Sequence, residues 1–541
     1  MSIFDSKRQI NKRNALIAIT AMLAVVAVVN IISVRFFTRA DVTAEKNYSL
    51  SATTKEIIQD LPGKISIKAY FTKNLPGYLV NTNQEVRDLL AEFETLSHGN
   101  VAVTYLDPSQ DQKIEQAAQE SGIPTLQFNV VEKDKYQVTN GYLGVAVFYG
   151  DKKEIMPLVQ NIGSLEYDLA AAISKLTRLK MPVVAWLYGR GAYDRTADLK
   201  QVDSLLGRQY DVREFNIEDG NLVGQDIDTL IIPGISQPLK AREQYIIDQF
   251  LMRGGSLLLL EEGVSINNND LSVTARDSGL GDLLTQWGIK INKNLVLDVS
   301  NEMAGFRTET VQFFSPYPLW VKITKNGFNP ASGIVNKLES LVLTWASSLE
   351  VSLDKLTNKT QVLDLVQTTP QAWAQTDNFQ LNPQLLTVPP ADRRAMALAT
   401  MLTGQFKSLF SKDSIPAFAK ASAGKPASKP PAVSKEEKNN FLSETIAGRL
   451  IVVGDADFIV DNNIKQFNSN AIFFQNLVDA LSSDGKLTTI RSKGVTDRPI
   501  KELSESAKKT IKWLNILGVS ALFAGYGLIR FARRRKARVE I

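Results

Sequence analysis

The chain has 541 residues, 44% hydrophobic and 22% charged, with no cysteine and one histidine. That length predicts two or three domains, and that balance an ordinary globular interior. Disulfides, thiolate nucleophiles and thiolate metal sites are excluded, and His98 alone cannot build a His-Glu-x-x-His zinc motif. The formal net charge of +5 is unevenly placed: the first fourteen residues carry +3 and residues 530–541 carry +5, leaving −3 for the rest. A nucleic-acid surface on the body is therefore not expected, and anionic-lipid contact is the simpler expectation for the basic tails.

In chain order, a basic tail (1–14) precedes twenty uncharged, mostly apolar residues, 15–34, which predict a membrane-crossing helix over 15–36. No small-x-small cleavage site follows, so the helix reads as an uncleaved anchor. Ala18, Ala21, Ala24 and Ala27 recur at helical spacing and permit close packing in lipid, although ordinary alanine content explains them as well. Residues 53–61 predict a helix, 64–71 a strand, 84–96 a helix with Val86, Leu89, Leu90 and Phe93 on one face, and 101–106 a strand. His98 falls in the turn before that last strand. A helix at 113–120, strands at 125–131 and 143–149 and a closing helix at 164–179 complete a βαβαββα order over residues 40–180. With Gly122-Ile123-Pro124-Thr125 before a strand, this order resembles the thioredoxin fold, which makes Ile123–Pro124 a candidate cis bond. That family's Cys-x-x-Cys pair is absent.

Residues 181–490 predict a second α/β domain. A strand at 183–188 ends in Gly189-Arg190-Gly191; a helix at 199–208, strands at 211–215 and 229–234, a helix at 242–252 and an apolar strand at 256–260 follow. A further strand, 450–453, leads into Gly454-Asp455-Ala456-Asp457-Phe458 and a helix at 471–481. Apolar runs alternating with amphipathic helices indicate a parallel sheet covered on both faces. Residues 300–440 lack pattern and read as an insertion, with the Pro/Ala/Ser/Lys-rich stretch 411–440 as a mobile, disordered loop. A membrane-proximal segment, 491–512, leads to a second apolar helix over 513–530 and a basic tail, 531–541. Ser520/Ala524 and Ala521/Gly525 are four apart and offer a packing stripe. Basic flanks stay inside, so two spanning helices predict a bacterial inner-membrane protein with both termini cytoplasmic and the body extracytoplasmic.

The Walker and Gly-x-Gly-x-x-Gly phosphate signatures are absent, and a bare Gly-x-Gly at a strand end is more often a turn than a phosphate cradle. The nucleophile elbow is missing, and Ser506-Ala507-Lys508-Lys509 is a chance-level Ser-x-x-Lys match. Asp455, Asp457 and Asp461 follow a buried strand, at whose carboxyl end open α/β sheets place ligands. Ile459 and Val460 stand where an EF-hand loop needs Asp or Asn and glycine, so turn formation outweighs metal binding. Glu261-Glu262-Gly263 reads as a polar strand exit, with acid/base chemistry conceivable. The candidate ligand-site turns are thus Gly189, Arg190, Gly191, Glu261, Asp455 and Asp457. No catalytic residue, cofactor or metal is expected, and Ala21, Ala24, Ala521 and Gly525 are the candidate helix-packing positions.

Several segments together resemble the auxiliary component of gliding-motility-type ABC transporters, the GldG-like family. They are Leu50-Ser51-x-x-Thr54-Lys55, residues 83–94 with Leu106-Asp107-Pro108, Arg253-Gly254-Gly255-Ser256-Leu257-Leu258, Val453-Gly454-Asp455-Ala456-Asp457-Phe458 and the terminal helix with its arginine-rich tail. The resemblance implies a central flavodoxin-like domain similar to class I glutamine amidotransferases, and a separate ABC permease and cytoplasmic ATPase as partners. Enzymes of that fold carry a cysteine after the strand that is 256–260 here; Glu261-Glu262-Gly263 stands in its place, so amidotransferase activity does not carry over. The leading expectation is a non-enzymatic auxiliary membrane subunit whose extracytoplasmic domains bind substrate or brace the permease. The alternatives are a membrane-tethered ligand-binding or sensor protein and, last, an extracytoplasmic hydrolase using Asp455, Asp457 or Glu261.

Overall fold

The computed structural model describes residues 18–22, 25, 49–73, 76–132, 135–159, 162–178, 180–267, 272–307, 312–386, 391–417, 434–482 and 505–537. Residues up to Val495 form one compact unit and Thr496–Ile541 a second.

The first unit opens with α1 (Ala52–Gln59), capped by Ser51, whose Oγ accepts the Thr54 N–H at 3.1 Å. Then come β1 (Ile65–Phe71), α2 (Gly77–Leu96), β2 (Val101–Leu106), α3 (Gln112–Glu120), the hairpin β3 (Leu126–Glu132) and β4 (Lys135–Gly141), β5 (Leu143–Tyr149), β6 (Lys152–Met156) and α4 (Ile162–Thr177). The sheet runs β2-β1-β5-β6, with β1 parallel to β2 and β5 antiparallel to both neighbours. Ile65, Ile67 and Ala69 of β1 share a core with Val86, Leu90 and Phe93 of α2 and Leu169 and Ile173 of α4. The outer edge of β2 is partly closed by its own approach helix. The Val101 N–H donates to Ser97 Oγ at 2.9 Å and the Val103 N–H to Glu94 Oε1 at 3.1 Å, which blunts an uncharged edge strand. β4 and β6 went unread because Lys135–Gly141 and Lys152–Met156 are too polar to alternate. No cis peptide bond occurs among the described residues, so Ile123–Pro124 is trans; Gly122, at φ +88°, makes the turn instead.

The chain continues with β7 (Val183–Tyr188), α5 (Lys200–Gly207), β8 (Asp211–Asn216), β9 (Thr229–Pro233), α6 (Ala241–Met252) and β10 (Ser256–Leu260). A run of short elements follows: β11 (Val264–Ile266), β12 (Val273–Ala275), α7 (Gly281–Gln286), β13 (Ile289–Ile291), β14 (Leu295–Leu297), β15 (Asn301–Arg307), β16 (Gln312–Thr324), β17 (Ser340–Thr344), β18 (Leu349–Val351), β19 (Gln361–Gln367), β20 (Trp373–Gln375) and β21 (Ala397–Lys407). The unit closes with α8 (Lys435–Asn439), β22 (Glu444–Val453), α9 (Asp461–Gln466) and α10 (Asn468–Ser482). Five parallel strands, β8-β7-β9-β10-β22, form the centre of the large sheet; β21 lies antiparallel on β22, and β18, β13 and β19 extend it. All of β10 is buried because both faces are covered. Leu258 and Leu260 meet Phe473, Phe474 and Leu477 of α10, while Leu257 and Leu259 meet Ile246 and Phe250 of α6.

Residues 300–440 are not the patternless insertion expected. They hold β15–β21, including the antiparallel sheet β15-β16-β17. Short strands, with Pro316 and Pro318 inside β16, conceal the period-2 signal. Within 411–440, Ile415 is buried, and α8 is capped by Ser434 and paired to the body through Glu437 and Arg242. Residues 418–433 lie outside the described residues.

The two-pass membrane topology is corrected. Among the described residues no helix is long and apolar enough to cross a membrane. Of the first apolar run only Ala18–Met22 and Val25 are described, all helical and exposed; Ala21 is among them, whereas Ala24 and Ala27 lie outside. The described part of the second unit is the helix α11 (Glu505–Ala537), 33 residues long. Its uncharged stretch, 513–529, rises about 26 Å at 1.5 Å per residue, short of a hydrocarbon core of about 30 Å. Asn515, Ser520 and three glycines dilute it further. The cytoplasmic termini and extracytoplasmic body rested on those two spans and fall with them. On α11, a methyl group added at Gly525 would meet no atom of the described residues within 4 Å, and the side chain of Ala521 lies outside the description.

Candidate functional site: the carboxyl ends of the parallel strands

The turn after β7 is a strained one. Gly189, Arg190 and Gly191 take φ values of +102°, +54° and +66°, three consecutive left-handed residues. Glycine is required at 191, where a Cβ would lie 1.9 Å from Ser236 Oγ. The conformation aims the Arg190 carbonyl at the β9 exit, where it accepts the N–H groups of Ser236 at 3.2 Å and Gln237 at 3.0 Å. The Arg190 side chain crosses to the first turn of α6, with Nε 2.8 Å from Glu243 Oε2 and Nη2 2.6 Å from Oε1. Glu243, 3% exposed, also accepts the Lys240 N–H at 2.9 Å. A non-glycine left-handed residue costs about 1–3 kcal/mol; this two-pronged charged pair offsets it. The hydrogen bond to Glu243 raises the Arg190 pKa, burial opposing it.

Beside this turn lies a buried polar cluster. Glu261 Oε2 accepts the Ile235 N–H at 2.8 Å, and Oε1 faces Arg276 Nη1 at 3.2 Å. Glu262 Oε1 accepts the N–H groups of Ala456 and Asp457, and Oε2 lies 2.7 Å from Arg276 Nη1. Asp455 is fully buried; its Oδ2 accepts the Thr344 N–H at 2.7 Å and Oδ1 the Phe458 N–H at 3.0 Å. Asp457 Oδ1 accepts the Tyr193 hydroxyl, and Tyr193 returns its own N–H to the Pro233 carbonyl at 2.9 Å. The exits of β7, β9, β10, β17 and β22 and the segment after β12 are thereby tied into one knot.

Burial sets the electrostatics. It raises Glu261 to about 8, with the Glu262 charge adding to it, and Glu262 to about 7, with Asp457 adding. Asp455 is pushed well up by burial and then by Asp457 and Glu262, Asp457 is raised by burial, and the Tyr193 hydroxyl rises for the same reason. Arg276 holds its charge more tightly because the two glutamates outweigh its own desolvation.

Of the sequence-predicted positions, Glu261, Asp455 and Asp457 share this cluster, while Gly189–Gly191 form the adjoining turn. Asp461 stands apart: its Oδ1 accepts the Gln201 N–H at 2.9 Å and ties α9 to α5. His98 sits exposed in its turn at φ +52°. Sequence reasoning missed Arg276, Tyr193 and Glu243. Arg276 follows a three-residue strand with no readable pattern; Glu243 alone left a signal, an acid in the first turn of a helix. Among the described residues no group of three or more His, Cys, Asp or Glu is arranged to hold a metal. Backbone amides, Arg276 and Tyr193 take up the carboxylates, an arrangement suited to holding loops in place.

Residues 181–481, more than half of the chain, match the family described as an ABC-type uncharacterized transport system, and residues 44–148 match a domain of unknown function. An uncharacterized protein of Borreliella burgdorferi is 24% identical over 525 residues, covering 94% of this chain and 95% of its own. Among solved structures, the mmIFT52 N-terminal domain aligns with a TM-score of 0.33 at 12% identity, over 56% of this chain and 97% of that one. The exo-β-1,4-mannosidase Op5Man5 of Opitutaceae bacterium strain TAV5 aligns with 0.24 at 11%, over 78% and 52%. Neither structural likeness is close enough to carry an argument. The family match spans the whole parallel sheet and its carboxyl-end knot, and the chain belongs to this family of auxiliary components of ABC transport systems.

Proposed function

We propose that the chain is a non-catalytic subunit that braces the permease of its ABC transport system and associates, through it, with the ATPase. The observation that carries this reading is the closed crevice at the sheet's carboxyl end. Open α/β sheets bind ligands where the strand order reverses, which here is between β7 and β9. That position is filled by Arg190–Glu243 and by Tyr193 against Asp457. Gly234 leaves no spare room there either, since a Cβ on it would sit 3.1 Å from the Ala456 Cβ and 3.3 Å from the Tyr193 ring. Where amidotransferase-like enzymes present a cysteine after β10, Glu261 and Glu262 cross-link loops. The parallel order β8-β7-β9-β10-β22 supports a flavodoxin-like reading of this domain, and β2-β1-β5-β6 with its crossing helices supports a thioredoxin-like one of the first.

Affinity isolation of the full chain from a mild detergent extract tests the proposal. A permease and an ATP-binding subunit of one ABC system should co-purify in fixed ratio. Recovery of the chain alone, with both subunits present in the extract, would refute it.

A further inference from the structure

Among the described residues, Glu261, Glu262, Asp455 and Asp457 share the buried end of the sheet with one cation, Arg276. Full ionisation would leave three uncompensated negative charges out of water, a far costlier state than a change of protonation. Either a metal ion or protons supply the balance. The metal is disfavoured by geometry, since among the described residues no three such side chains converge as ligands. The one guanidinium is divided between two carboxyls: Arg276 Nη1 lies 3.2 Å from Glu261 Oε1 and 2.7 Å from Glu262 Oε2, in glutamates 2% and 5% exposed.

We infer that the cluster is a proton-linked latch, holding bound protons while the exits of β7, β10 and β22 are tied together and releasing them when those loops part. The groups that face it are Tyr193 from the β7 exit, Glu261 and Glu262 from β10, Arg276 from the segment after β12, Asp455 and Asp457 from β22, and the Thr344 N–H from β17. Because these charges interact strongly, the protons belong to the cluster rather than to one residue.

The direction follows from linkage. In the tied state burial holds the carboxyls high, Glu261 at about 8 and Glu262 at about 7. In parted loops they return to about 4. Between those limits the tied state carries protons that the parted state lacks. Rising pH therefore favours parting, about tenfold per pH unit for each proton held. The part of this dependence that comes from Glu261 and Glu262 disappears below about pH 4, where both states are protonated, and fades above about pH 8.

Hydrogen exchange of the full chain between pH 5 and 9, expressed as protection factors, reads this directly. Residues 190–196 and 454–463 should lose protection about tenfold per pH unit for each proton held, so more than tenfold per unit in all from pH 5 to 7, with a shallower slope above pH 8, while β1 stays flat. Asp457→Asn and Glu262→Gln should each flatten the slope by removing one titrating group. A pH-independent wild type would overturn the inference, as would an unchanged slope in both variants. Restored protection at pH 8 on adding calcium or magnesium, lost again with chelator, would also overturn it by assigning the balance to a metal.

Discussion

Removing the Arg190 side chain puts the closed crevice to its sharpest test. In the pair it forms, the Arg190 side chain is 13% exposed and that of Glu243 4%. Breaking a buried pair by deleting one partner costs about 3–5 kcal/mol, because the survivor is left charged and unpaired. Glu243 keeps the Lys240 N–H, which places Arg190→Met at the lower end, about 3 kcal/mol, or somewhat over a hundredfold in the opening constant. Arg190→Gly should recover about 1–2 kcal/mol of that loss, since glycine carries no penalty at φ +54°. Arg190→Met combined with Glu243→Met should return to within about 1 kcal/mol of the parent, because two apolar side chains replace the pair without an orphan charge. Hydrogen exchange in the first turn of α6 measures all three variants. A loss below about 1 kcal/mol in Arg190→Met, or a double variant as weak as the single one, would show that the pair does not hold the turn.

Three further outcomes are expected. Gly454→Ala forces a Cβ to within 1.9 Å of the Ser347 carbonyl oxygen; overpacking against backbone costs about 1–3 kcal/mol or more, read as a lowered melting temperature, whereas Gly525→Ala on α11 should be neutral or stabilising. Asp298, 1% exposed, accepts the Thr369 N–H and hydroxyl and the Ser300 N–H. Asp298→Ala should therefore cost about 2–4 kcal/mol in urea titration, and Asp298→Asn less. Replacing both Ser97 and Glu94 by alanine uncaps the edge of β2; light scattering should show concentration-dependent association that either single variant produces more weakly.

Legibility from sequence followed burial. β7 and β10 were read to the residue because both faces of the strand are buried and the run is continuously apolar. β2 and β5 were read equally well, while α2 starts earlier than expected, at Gly77, where no apolar stripe marks its first turns. The failures lie where pairing, not burial, defines the strand. β16 contains two prolines, β19 is half-exposed, and both exist because neighbours hydrogen-bond to them. The candidate site shows the same division. Asp455, Asp457 and Glu261 were found because strand ends are where polar groups gather. Arg276 was invisible because its importance comes from a hairpin folding back over the glutamates, a contact with no local signature. The second membrane span was misjudged for a related reason: counting uncharged residues overlooked how asparagine, serine and glycine thin a short helix.

The central sheet joins β10 to a strand that arrives only after residue 440. During synthesis, β7, β8 and β9 can assemble early, yet β10 must wait with one side bare until β22 and α10 emerge. Through that interval its five leucine-rich residues form an open apolar edge, the kind that recruits other nascent chains. Messages truncated anywhere between residues 260 and 444 should therefore yield fragments that aggregate more than the full chain does. The open edge of β10 closes only when translation has reached β22.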